Sequence, residues 1–72
     1  MVEKYLETTF KNAGIPFEKT QNGLEFNCGG NRSEFERVIS YIYKNYEKWT
    51  YDLEIDIKIE IRTGFEKVVI SL

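Results

Sequence analysis

The stretch Leu53-Glu54-Ile55-Asp56-Ile57-Lys58-Ile59-Glu60-Ile61-Arg62 alternates aliphatic and charged residues without interruption. Successive side chains of a strand point to opposite faces, so the pattern predicts a ribbon with one aliphatic face and one charged face. The aliphatic face has to be buried. Glu54, Asp56, Lys58, Glu60 and Arg62 are left to meet water or a polar partner.

The ribbon needs a second strand beside it. Thr63-Gly64 supplies a two-residue turn, and the return strand then sets Ile59 across from Val68, Ile57 from Ile70 and Ile55 from Leu72. In this register Glu60 faces Lys67, an opposite-charge cross-strand pair. Upstream, Asn22-Gly23 marks another hairpin over residues 16–28. That turn pairs Gln21 with Leu24, Lys19 with Phe26 and Phe17 with Cys28. Phe17, Leu24, Phe26 and Cys28 share its inner face, while Glu18, Thr20, Glu25 and Asn27 share the outer one.

Each hairpin follows a helix. Val2, Leu6, Phe10 and Ala13 recur at helical spacing over residues 2–13, with Gly14 placed as a C-terminal cap and Pro16 just beyond. After Gly29-Gly30, residues 33–49 carry an apolar stripe of Phe35, Val38, Ile39, Ile42, Tyr46 and Trp49. Ser33 and Glu36 have the spacing of a capping box at its start. The order is α-β-β-α-β-β in one domain spanning residues 1–72. The predicted fold class is α+β, a four-stranded antiparallel sheet with both helices on one face.

Composition narrows the function classes. The chain has 72 residues, a formal charge of −2, no histidine and one cysteine, Cys28. An intramolecular disulfide and a histidine-containing metal site are excluded, and no cofactor is expected. An unpaired thiol and the lack of a leader pattern predict a cytoplasmic protein. No apolar run approaches the roughly 20 residues that span a bilayer, so no membrane partner is expected. Scarce alanine with abundant Ile, Lys, Asn and Tyr suggests AT-rich coding DNA, as in low-GC bacteria, phages and mobile elements.

Little in the sequence points to catalysis. Cys28 lacks a histidine to deprotonate it and reads as a small core residue at a strand end. Gly29-Gly30-Asn31-Arg32-Ser33 precedes a helix but has no phosphate-binding pattern; a loop and a cap account for it. The carboxylates lie on an open strand face, where nothing drives their pKa values apart.

The charged face points instead to a protein partner. Asp52, Glu54 and Asp56 recur every second residue, which on a strand spaces their carboxylates by about 6.5–7 Å. With Glu60, Glu18 and Glu25 nearby, such a row mimics backbone phosphates. The expectation is therefore a non-enzymatic interaction module, a small phage or mobile-element inhibitor occupying a basic nucleic-acid-binding protein. Lys58, Arg62 and Lys67 interrupt the row, so a mixed-sign solvated face is the competing reading. Tyr41 and Tyr43 flank the second helix as possible interface anchors, and a thin core with a long strand predicts a homodimer. The alternative is direct nucleic-acid binding by Arg32, Arg37, Lys44 and Lys48. The acidic balance disfavours it.

Overall fold

A computed structural model describes residues 2–54 and 56–72. The elements are α1 (Val2–Asn12), β1 (Glu18–Lys19), β2 (Gly23–Asn27), α2 (Arg32–Leu53), β3 (Lys58–Arg62) and β4 (Lys67–Ser71). All strand pairs are antiparallel, in the order β1-β2-β4-β3. The α+β class and the α-β-β-α-β-β order are as the periodicities indicate.

The core lies between the sheet and the helices. Leu24 and Phe26 of β2 sit beside Ile70 and Val68 of β4, and all four are buried. Leu6 and Phe10 of α1, together with Phe35, Val38, Ile42 and Trp49 of α2, close over them. Phe10 is the hub, with ring centroids 4.7 Å from Phe26 and 5.4 Å from both Tyr41 and Trp49. Among the described residues no buried side-chain nitrogen or oxygen lacks a partner.

The end of α1 follows its sequence. Gly14 takes φ +71°, Ile15 N–H donates to Phe10 O and Gly14 N–H donates to Lys11 O, both at 3.0 Å. This is a Schellman motif, with buried Ile15 as its apolar companion. Arg37 of α2 adds a clamp from outside, donating to Ala13 O at 3.0 Å and Gly14 O at 3.2 Å.

The second helix departs from expectation at both ends. Its N-cap is Asn31, whose side chain accepts from Glu34 N–H at 3.0 Å, so Ser33 and Glu36 form no capping box. At the other end it runs to Leu53 instead of stopping near Trp49. Leu53 continues the stripe Ile42, Tyr46, Trp49 at i, i+4, i+7 and i+11, so it satisfies the helical period as well as the alternating one. The helix claims it. β3 shortens accordingly to Lys58–Arg62, and Ile55 lies outside the described residues. Glu54 caps the helix in the left-handed conformation, φ 55° and ψ 37°. A residue with a Cβ is unusual there, which is why no stop signal was visible.

Both hairpins are displaced by two residues. β1 pairs Glu18 with Glu25 and Lys19 with Leu24, which leaves Gln21-Asn22 at the turn; neither takes a positive φ. Gly23 is no turn residue. It stands in β2 opposite Ser71, where an added Cβ would lie 2.0 Å from Ile70 O. Close approach of β4, and not turn geometry, requires glycine here. In the second hairpin Ile59 pairs with Ile70 and Ile61 with Val68, around a four-residue loop, Thr63–Glu66. Glu60 faces Val69, not Lys67. Glu66 is held elsewhere: its carbonyl accepts Cys28 N–H at 2.9 Å and its carboxylate accepts Gly30 N–H at 3.2 Å. A shift of two residues preserves every inside-outside assignment, because the side-chain period is two.

Gly23→Ala should lower stability by about 2–3 kcal/mol, as overpacking against a fixed backbone does; a wild-type urea midpoint would contradict the close approach. Glu54→Gly should raise stability by about 0.5–1 kcal/mol through relief of the left-handed strain. Thermal unfolding beside Glu54→Gln, which removes the charge but keeps the Cβ, separates strain from charge.

Candidate functional site

The open face of the sheet carries the side chains that alternate with the core. Across it run three cross-strand rows: Gly23-Ser71-Lys58, then Glu18-Glu25-Val69-Glu60, then Asn27-Lys67-Arg62. Glu18, Glu25 and Glu60 are thus brought into one row about an apolar centre, Val69. Neighbouring strands lie about 4.8 Å apart, so these glutamates line up across the strands rather than along one.

Basic residues border that row and engage it. Lys67 Nζ lies 3.0 Å from Glu25 Oε1, although its pairing partners on the adjacent strands are Asn27 and Arg62. Arg62 donates through Nε to Glu60 Oε2. That hydrogen bond, and then the guanidinium charge, holds the Glu60 carboxyl below its usual range. Three acids and three bases leave the face balanced in sign, which matches the competing reading of a mixed, solvated surface.

Asp52, Glu54 and Asp56 are elsewhere. Asp52 belongs to the last turn of α2, Glu54 is its C-cap, and Asp56 lies in the connection to β3. The regular strand spacing assigned to them does not exist, because the helix extends through Leu53. All three are exposed, and among the described residues no ion pair engages them. The last turn of α2 carries no basic residue. A helix C-terminus already bears a negative partial charge, so the carboxylates and the dipole add unfavourably at this corner.

The remaining candidates separate by burial. Tyr41 is half-buried against Phe10 and Trp49 and is a core residue, whereas Tyr43 is 66% exposed. Tyr51, near the end of α2, is 84% exposed. Tyr46 is half-buried, with its hydroxyl donating to Ile57 O at 3.0 Å. The basic set is largely occupied. Arg37 binds the end of α1 and Glu34, while Arg32 lies 3.8 Å from Glu36 and over the Phe35 ring. Lys44 and Lys48 alone of the four have no recorded ion pair among the described residues.

Concave surface is shallow. An open depression of about 600 Å³ follows Lys4, Tyr5, Thr8, Thr9 and Asn12 on the outside of α1, and a smaller one of about 190 Å³ lies between Pro16, Phe17, Glu18, Glu25 and Asn27. Burial, and then the charges of Glu34 and Glu66, raise the Cys28 thiol, opposite to what a nucleophile needs. Among the described residues no helix is long and apolar enough to cross a membrane, and no group of His, Cys, Asp and Glu has metal-binding geometry. Comparison with known proteins finds no matching family, no similar curated protein and no similar solved structure.

Proposed function

We propose that this chain is a non-enzymatic protein-interaction module whose contact charge is the acidic corner at the end of α2. One observation carries the reading: Asp52, Glu54 and Asp56 are exposed and unpaired among the described residues, at a helix end that repels them. Several acids elsewhere are spent internally, as in Lys19–Glu7, Arg37–Glu34 and Lys67–Glu25, and among the described residues no other three unpaired acids stand so close along the chain. A charge cluster that costs stability in the isolated chain is relieved when a basic surface covers it. The partner chemistry is therefore cationic, of the kind that nucleic-acid-binding proteins present. Exposed Tyr51 lies one residue before Asp52 and offers an anchor of large area and few rotatable bonds.

Capture with the immobilised chain tests this. The wild type should retain a basic protein from lysate, released by raised salt and by competing duplex DNA. The double variant Asp52→Lys/Glu54→Lys should lose that protein. Asp52→Lys alone should increase thermal stability by about 0.3–1 kcal/mol, because a cation suits a helix C-terminus. Retention indifferent to the double variant, or steeply salt-dependent binding of the chain itself to DNA, would overturn the proposal.

A further inference from the structure

The strand order leaves β3 at one border of the sheet, with no strand beyond it among the described residues. The hydrogen-bond phase identifies what that border offers. Leu72 N–H donates to Asn22 O and Cys28 N–H to Glu66 O, so the even-numbered residues of the β4 strand face β2. Alternation in an antiparallel ladder turns Lys67, Val69 and Ser71 toward β3, where they meet Arg62, Glu60 and Lys58. The backbone N–H and C=O groups of Ile59 and Ile61 are therefore directed outward, as a template for another strand.

Charge selects the occupant. On the open face of β3, Lys58, Glu60 and Arg62 read plus, minus, plus. Turned end for end about Ile59, Lys58 and Glu60 exchange places as opposite charges. Lys58 then meets Glu60 of the second copy, and symmetry repeats the contact. Ile59 pairs with itself, in the phase its outward groups require. The Ile57 carbonyl in the next pair already accepts from Tyr46, and its second lone pair remains. The neighbouring registers fit worse. Centring on Glu60 opposes Glu60 to itself and Lys58 to Arg62, and centring on Ile61 carries Lys58 into the turn at Gly64.

The helix above supplies a second, independent observation. Ile39, Tyr43, Tyr46 and Thr50 follow one flank of α2 at i, i+4, i+7 and i+11. The Tyr46 hydroxyl on Ile57 O places this flank over β3, whereas Tyr41 on the other flank packs on Phe10. The core is incompletely covered on this side: Ile39, Tyr46, Ile59 and Ile61 are half-buried, and Tyr43 is 66% exposed. Because α2 packs on β4, joining two sheets at β3 leaves the two α2 helices about three strand spacings apart, with their half-covered flanks facing each other across the junction.

We infer that a second copy of this chain docks antiparallel on β3 in the register centred on Ile59. The product is a continuous eight-stranded sheet with the helices on one side and the charged faces free on the other. This pairing stands independently of the partner proposed above. Sedimentation of the full chain over a range of concentrations tests it. The wild type should dimerise, and Lys58→Glu or Glu60→Lys should each weaken the dimer at least about tenfold, since each creates two like-charge cross-strand contacts. The swapped variant Lys58→Glu/Glu60→Lys should return to near wild type. Both positions are exposed, so folding of the variants is checked by thermal unfolding in dilute solution. A wild type that stays monomeric to millimolar concentration, a swap no better than the singles, or a Lys58→Glu that tightens the dimer would overturn the inference.

Discussion

The ring of Phe10 is the contact on which the rest of the molecule depends. It reaches Phe26 in β2, Tyr41 and Trp49 in α2, and Phe17 ahead of β1, so one side chain joins both helices to the sheet. A 72-residue chain has room for one core of modest size, and such cores gain from a few large aromatic groups. The position of Phe10 is set by the end of its own helix. Its carbonyl accepts Ile15 N–H in the Schellman turn, and the same turn is gripped by Arg37 from α2. Anchoring, packing and helix termination therefore converge within six residues, Phe10 to Ile15.

That arrangement also governs which charges remain for other molecules. Arg37 is consumed as a structural clamp, so the helix surface loses the cation best suited to a nucleic acid backbone. Lys67 and Arg62 are consumed on the sheet, where they balance Glu25 and Glu60. The acidic end of α2 also stays unbalanced among the described residues, placed there because Leu53 joins the helix and carries Asp52 with it. The border at β3 is the other unfinished surface, for a different reason: its alternation continues the core to the last strand, and nothing among the described residues covers Ile59 and Ile61 fully. Charge and apolar surface are thus left over at adjacent places, and the two proposed contacts rest on them.

The candidate site was readable in part. Glu18, Glu25 and Glu60 share the open face because alternation assigns faces regardless of exact register, and a two-residue shift leaves that assignment untouched. Tyr41 and Tyr43 were placed alike on the two flanks of the second helix, and of the two only Tyr43 is largely exposed. Asp52 and Glu54 were misplaced because residues around Leu53 fit two periodicities, and local pattern has no means of ranking them. Tyr41 was misjudged because its flank of α2 is covered by α1, a contact between segments about thirty residues apart.

Element order, inner and outer faces, and the cap at Gly14 are properties of the chain, since each rests on periods of two or 3.6 residues and on the conformational freedom of one glycine. Where strands begin, how they are paired and which charges stay free depend on the assembled fold. Gly23 is required by the carbonyl of Ile70 on a neighbouring strand, Glu66 is held by Cys28 and Gly30, and α2 ends at a left-handed Glu54 because Leu53 packs against the core. Local sequence carries no record of such distant neighbours, and only close packing brings them within reach.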